Sequence, residues 1–139
     1  YFVLKGGKGE GQITGGNLSL AVASLGTEYE INTDGKILFI EEVNEPTYRV
    51  DRMLKQLKLA GKLKNIKGVL LGDFKNAKRA EPGDMSLEDV FEDNFGKMKV
   101  PVISGLKSGH VRPFITIPIG VKVKIDTYKN EIIIEQSVK

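Results

Sequence analysis

The sequence predicts a mixed α/β domain, a small parallel βαβαβ unit with an added antiparallel layer. Three short apolar runs, KILFI (36–40), GVLLG (68–72) and VPVISG (100–105), alternate with two segments of helical periodicity. Such runs are typical of strands buried on both faces, and their alternation with helices favours parallel pairing through right-handed crossovers. The segments FITIPIGVKVKID (114–126) and EIIIEQ (131–136) then alternate apolar and polar residues, which predicts antiparallel strands.

The N-terminal part predicts a short strand, a tight turn and a first helix. The opening stretch, YFVLKGGKGEG, is rich in glycine and lysine and is typical of a linker-like boundary within a larger protein. We expect a turn at Gly15–Gly16 and a helix over Leu18–Leu25, with Asn17 as its N-cap and Gly26 as its stop.

Two further helices are marked by their ends. Asn44 and Pro46 indicate the start of an amphipathic helix and Gly61 its end. Ser86 and Asp89 have the spacing of a capping box, which predicts a short helix after a polar loop. The apolar stripe of the longer helix consists of Val50, Met53, Leu54 and Leu57.

Composition narrows the function classes. The 139 residues, 40% hydrophobic and 28% charged, fit one globular domain spanning 1–139 and contain no run apolar enough for a membrane helix. The absence of cysteine excludes disulfides and thiolate chemistry and fits a reducing compartment. With a single histidine, a structural zinc site is not expected. The net charge of +3, with no arginine–aromatic interleaving, does not predict a nucleic-acid partner.

Acidic residues and the histidine follow the three apolar runs. Glu41 and Glu42 come after the first, Asp73 after the second, and His110 lies a few residues beyond the third. Because ligands of open α/β sheets bind beyond the carboxyl ends of the strands, we expect these groups to converge. Considered singly, Glu42 is expected to be a solvated carboxylate, Asp73 to cap a turn and His110 to be a loop residue without a catalytic role.

An acid beside an imidazole predicts acid/base chemistry. A carboxylate that accepts from one ring nitrogen fixes the tautomer and frees the other nitrogen to act as a base. Glu41 directly extends the apolar strand, where a carboxylate needs such a partner, so we pair it with His110. A dinuclear metal site from Glu41, Glu42 and Asp73 is disfavoured because adjacent strand residues point to opposite faces.

No serine presents itself as the nucleophile. The sequence contains no G-x-S-x-G elbow, and none of its serines precedes the sharp strand-to-helix turn that exposes a hydroxyl. The missing third group indicates that a nucleophile would lie on a segment outside this chain. The six serines of the sequence are Ser19, Ser24, Ser86, Ser104, Ser108 and Ser137.

Several segments together resemble the C-terminal domain of the LD-carboxypeptidase family of serine peptidases. They are GGNLSLAVASLGTEYE, GKILFIEEVNEPTYRVDRMLKQLKLAG, GVLLGDF and PVISGLKSGH followed by ITIPIGV, and they span roughly residues 10 to 126 in order. The family includes muramoyltetrapeptide carboxypeptidases and microcin C immunity peptidases. The resemblance implies a swivelling β/β/α-type domain.

The resemblance also implies a Ser–Glu–His triad and its division between domains. Carried over by motif, the acid of IEEVNE is Glu41 and the histidine of the G-H motif is His110, whereas the serine belongs to an N-terminal domain. The implied enzyme is a cytoplasmic homodimer without metal or other cofactor, which cleaves the L,D-peptide bond of murein tetrapeptides. Asn17, Asp73 and Arg112 are candidates for substrate contact.

Two other functions stay open at this point. Within the family, the domain could belong to a microcin-type immunity peptidase that cleaves acyl-sulfamoyl-adenylate conjugates. Outside catalysis, the same strand-end crevice could serve a binding module for a peptide or a sugar, which would have no nucleophile elbow upstream. Glu42 stands where aspartate is common in the family, and the VRPF segment after His110 leaves substrate specificity undetermined.

Overall fold

A computed structural model describes residues 1–110 and 112–135 of the chain. None of the helices among these residues combines the length and the hydrophobicity of a membrane-spanning helix. The elements are β1 (Phe2–Lys5), β2 (Lys8–Asn17), α1 (Leu18–Ala23), β3 (Ile37–Val43), α2 (Thr47–Leu59), β4 (Gly68–Lys75), α3 (Leu87–Phe95), β5 (Val102–Ser104), β6 (Lys122–Asp126) and β7 (Glu131–Ile134). The strands run in the order β1-β5-β4-β3-β2-β6-β7 across one sheet.

The long strand β2 joins a parallel and an antiparallel region of the sheet. Its second half, from Ile13 to Asn17, pairs in parallel with β3, which pairs in parallel with β4, as β4 does with β5. Its first half, from Lys8 to Gln12, pairs antiparallel with β6, which forms a hairpin with β7. The parallel unit thus has four strands, one more than the three apolar runs predict.

Two apolar cores lie on opposite faces of the parallel strands. On one face, α2 and α3 pack on β3 and β4, with Leu54, Leu57 and Phe95 fully buried. On the other face, Val123 and Ile125 of β6 pack against residues of β2, β3 and β4. The helices, the parallel strands and the curled antiparallel strands therefore form three layers, and the predicted mixed α/β class with its antiparallel layer is confirmed.

The predicted turn at Gly15–Gly16 is wrong, because both glycines lie inside β2. Gly15 has a φ of 119°, and a Cβ atom there would collide with the carbonyl oxygen of Phe39 on β3. Glycine is thus required for close approach of two backbones rather than for a turn. The glycine-rich opening is also partly regular structure, since β2 begins at Lys8.

The strand predicted over 114–126 is wrong in its first half. Only Lys122–Asp126 is a strand, and the segment before it is a loop in which Phe114 and Ile115 are exposed. Pro118 has no N–H to donate to a ladder, which disfavours a strand there. β1 was not predicted, β5 is shorter than 100–105, and β7 ends at Ile134, whereas Gln136 and Ser137 lie outside the described residues.

The structure confirms the two predicted side-chain caps of helices. Asn17 caps α1, and Ser86 and Asp89 form the reciprocal capping box of α3. All four apolar-stripe residues of α2 are buried, which fixes the helix against the sheet. Because β3, β4 and β5 pair in parallel, their carboxyl ends lie at one edge of the sheet.

Candidate active site

A β-bulge shapes the sheet around Glu41. β3 and β4 pair regularly up to Ile40, and pairing resumes at Glu42, so Gly72 and Asp73 of β4 both stand opposite Glu41. Extra residues of this kind bend a strand and free backbone groups from the ladder. Here the bulge releases β4 from β3 at the point where β3 presents its first carboxylate.

The freed backbone of β4 holds the loop that carries the histidine. The Asp73 N–H donates to the carbonyl oxygen of Ser108 at 2.8 Å, and the Leu106 N–H donates to that of Leu71 at 3.1 Å. The loop after β5 is thereby fixed across the end of β4. Since β4 separates β5 from β3, this path brings His110 to the end of β3.

Glu41 and His110 lie in hydrogen-bond contact. Glu41 Oε2 is 2.8 Å from His110 Nδ1, although the residues are 69 positions apart in the chain. The glutamate side chain is 9% exposed and that of the histidine 53%. A buried carboxylate accepting from Nδ1–H leaves Nε2 as the proton acceptor, which is the tautomer that a general base needs.

Gly109 allows this contact to form. A Cβ atom at Gly109 would lie 2.8 Å from Glu41 Oε2, and its φ of 130° is unfavourable for other residues. The glycine of the G-H motif is therefore required for steric reasons, because the backbone before the histidine passes directly over the carboxylate.

The pair opens onto a cleft of about 300 Å³. Its wall includes Gly16 of β2, Phe39 of β3, the loop residues Ser108 and Gly109, and side chains of the segment from Phe114 to Ile119. Phe39 was not predicted as part of the site, although its position two residues before Glu41 on a strand places both side chains on one face.

Glu42 is not the solvated carboxylate that the sequence suggested. It is 3% exposed, on the face of β3 opposite to Glu41. Both carboxylate oxygens accept two hydrogen bonds each. The donors are Asn17 Nδ2 (2.9 Å) and Val43 N (2.9 Å) to Oε1, and Ser19 N (2.8 Å) and Ser19 Oγ (2.7 Å) to Oε2.

The environment of Glu42 favours its ionised form. Burial alone would raise the pKa of the Glu42 carboxyl, but hydrogen bonds from Ser19, Val43 and Asn17 outweigh it and hold the pKa below its usual value. A carboxylate with several donors is stabilised as an anion even without a cation beside it.

Acid should therefore destabilise the protein partly through Glu42. Because the pKa of the Glu42 carboxyl is lower in the folded than in the unfolded chain, its stabilisation is present above the unfolded value and is lost as pH falls through the folded one. We expect Glu42→Gln to flatten the fall of the unfolding free energy below about pH 5, measured by urea titration. The exposed Glu28→Gln is the control, and parallel curves for Glu42→Gln and the unaltered chain would contradict the expectation.

The three candidates for substrate contact lie in different surroundings. Asn17 uses its side chain internally, since Oδ1 accepts from Leu20 N and Nδ2 donates to Glu42. Asp73 lines a separate cleft of about 340 Å³, and its buried Oδ2 has no hydrogen-bond partner among the described residues. Arg112 is exposed in the segment after His110.

Neither a metal site nor a nucleophile accompanies the pair in the described residues. Residues 1–110 and 112–135 contain no group of three acidic, histidine or cysteine side chains close enough to hold a metal ion. In the same residues no serine hydroxyl hydrogen-bonds to His110; Ser108, the nearest in sequence, is 6% exposed. Ser137 lies outside the described residues.

Comparisons with known proteins point to one family. The profile of the LD-carboxypeptidase C-terminal domain matches residues 10–125. The probable murein peptide carboxypeptidase of Bacillus subtilis is 46% identical over 135 residues, which are 95% of this chain and 42% of that protein. The microcin C7 self-immunity protein MccF of Escherichia coli is 35% identical over 94% of this chain and 38% of its own length.

Solved structures agree in fold. Wild-type MccF without ligand superposes with a TM-score of 0.86 at 29% identity, over 99% of this chain and 41% of that one. The muramoyltetrapeptide carboxypeptidase of Oxalobacter formigenes gives a TM-score of 0.78 at 32% identity, over 86% and 42%. The chain thus spans about two-fifths of the length of these relatives.

Proposed function

The chain belongs to the LD-carboxypeptidase C-terminal domain family, and we propose that it supplies the acid/base half of a serine peptidase acting on murein tetrapeptides. The observation that carries the proposal is the 2.8 Å contact between Glu41 Oε2 and His110 Nδ1 at the mouth of a cleft. In this proposal His110 is the general base and Glu41 orients it. The reaction releases the terminal D-alanine.

The geometry of the pair supports a two-step acyl transfer. His110 Nε2 takes the proton of a serine hydroxyl as its oxygen attacks the carbonyl carbon of the L,D-peptide bond. The imidazolium then gives that proton to the departing amine of D-alanine, which leaves an acyl-serine. In the second step the same nitrogen takes a proton from a water that attacks the acyl-serine and returns it to the serine oxygen as the ester bond breaks, which releases the shortened peptide and regenerates the serine. The Glu41 carboxylate stabilises the imidazolium in both steps.

We place the serine and the oxyanion hole on a segment N-terminal to this chain. Support comes from the share of the relatives that the chain covers, about two-fifths, and from the apolar surface beside the cleft. Phe114, Ile115 and Ile119 are each more than half exposed. Clustered exposed apolar side chains mark contact surfaces, and we assign this one to the nucleophile-bearing segment. The proposed whole enzyme is a cytoplasmic homodimer.

The test compares this chain with an N-terminally extended one. Purified proteins are incubated with an L,D-tetrapeptide and released D-alanine is quantified. We expect release by the extended protein and none by residues 1–139 alone, because the isolated pair has no nucleophile to activate. Equal turnover by the isolated chain, or an upstream sequence without a nucleophile elbow, would contradict the proposal; the latter would favour a non-catalytic binding module.

A microcin-type immunity peptidase is the second candidate. It is favoured by the similarity to MccF, which is 35% identical and has a TM-score of 0.86. Both substrate classes would use the same pair, so the distinction rests on substrate preference. Competition between an L,D-tetrapeptide and an aminoacyl-sulfamoyl nucleotide, read as the ratio of the two kcat/KM values, separates them.

A further inference from the structure

The proposed reaction uses Glu41 and leaves Glu42 without a role. Counted over the whole residue, Glu42 is 3% exposed and Glu41 7%. No cation forms an ion pair with it in the described part of the chain, and four hydrogen bonds satisfy its oxygens. Hydrogen bonds alone thus offset the cost of burying this anion, so the positions of the carboxylate and of its donors depend on one another.

The four hydrogen bonds join three segments at the back of the site. Asn17 is the last residue of β2, Ser19 lies in the first turn of α1, and Val43 ends β3. Asn17 is also the register partner of Glu41 in the parallel pairing of β2 with β3. The carboxylate of Glu42 thus ties the strand end that carries Glu41 to its neighbour.

The hydrogen bonds of Glu42 also connect to the cleft. Gly16, which precedes Asn17, lines the cleft next to His110 and Glu41. On the side of β4, the bulge at Gly72 and Asp73 leaves Glu41 without a regular ladder neighbour. The backbone at Glu41 is therefore held mainly from the β2 side, where Glu42 supplies the side-chain contacts.

We propose that Glu42 is a positioning residue that acts through the end of β3 to hold the Glu41 carboxylate against His110 Nδ1. The inference rests on the proposed function, since it assigns Glu42 to the same Glu41–His110 pair. An ionised carboxylate suits the task because it only accepts, and all four groups facing it are donors. A glutamine amide would turn an NH2 group towards two of those donors.

The single histidine of the chain makes the proposal measurable without a substrate. Long-range ¹H–¹⁵N correlation on residues 1–139 above neutral pH reports which ring nitrogen of His110 carries the proton. The unaltered chain should show the Nδ1–H tautomer, since Glu41 accepts from Nδ1. We expect Glu42→Gln, and more weakly Ser19→Ala, to lose that signature in favour of the Nε2–H tautomer. Ser86→Ala, which removes the cap of α3 away from the site, should retain it.

The variants distinguish a failure of this inference from a failure of the proposed function. Glu41→Ala removes the acceptor from Nδ1 and should lose the Nδ1–H signature; if it does not, the Glu41–His110 pair itself fails. If Glu41→Ala loses the signature while Glu42→Gln and Ser19→Ala keep it, only the positioning role of Glu42 is overturned. Should Glu42→Gln fail to fold, Ser19→Ala decides, because it removes one of the four donors and leaves the carboxylate.

Kinetics of the extended protein give a second readout. Misplacing a catalytic group by about 1 Å costs on the order of 100-fold in rate. We therefore expect Glu42→Gln to lower kcat, calculated per folded protein, by up to about 100-fold with KM unchanged. An unchanged kcat in a folded Glu42→Gln protein would overturn the role.

Discussion

Replacing Glu41 by glutamine in the N-terminally extended protein is expected to lower kcat by about 10⁴-fold. Glutamine has nearly the same shape, so the fold and the cleft should remain. The amide carries no charge to stabilise the imidazolium, and its NH2 group can donate to Nδ1, which would favour the wrong tautomer. Because Glu41 touches His110 rather than the substrate, KM should change little.

The measurement is steady-state D-alanine release at saturating tetrapeptide, beside thermal unfolding of each variant. Glu28→Gln is the matched control, because Glu28 is an exposed glutamate away from the site. Unchanged turnover by a folded Glu41→Gln protein would mean that His110 does not depend on this carboxylate.

Replacing Gly109 by alanine is expected to separate Glu41 from His110 without substituting either residue. The added methyl group would lie 2.8 Å from Glu41 Oε2, and the φ of 130° disfavours alanine. We expect a loss of stability of about 1–3 kcal/mol from the backbone strain. Displacement of the loop should in addition lower kcat by at least about 100-fold.

Gly83→Ala is the control for this variant. A Cβ atom at Gly83 meets nothing within 4 Å, so the substitution tests the effect of an added methyl group in open space. Unfolding curves and kcat are measured for both proteins. If Gly109→Ala kept full turnover, the close passage of the loop over Glu41 would be irrelevant to function.

The sequence predicted the parallel unit and the meeting of Glu41 with His110 because both follow from local patterns. Uninterrupted apolar runs mark buried parallel strands, and residues just beyond such strands share one edge of the sheet. The capping residues Asn17 and Ser86 were predictable for the same reason, since their partners lie three residues away.

The remaining features depend on residues far apart in the chain. The sequence around Gly15 indicates a turn, and only the structure shows that the Phe39 carbonyl oxygen lies where a Cβ atom would be. The sequence predicts that Glu42 is solvated, because its donors Asn17 and Ser19 lie more than twenty positions earlier. The apolar loop from Phe114 to Ile119 alternates like a strand, but its side chains face the cleft and solvent. Burial and partners of this kind are set by tertiary packing.

The central claim is that His110 acts as the base of a serine peptidase whose nucleophile lies on another segment. It is tested most directly by the ratio of kcat/KM for His110→Ala to that of the unaltered extended protein, on an L,D-tetrapeptide. We expect a ratio of about 10⁻⁴ or lower in a protein that still folds. A ratio near one would contradict it.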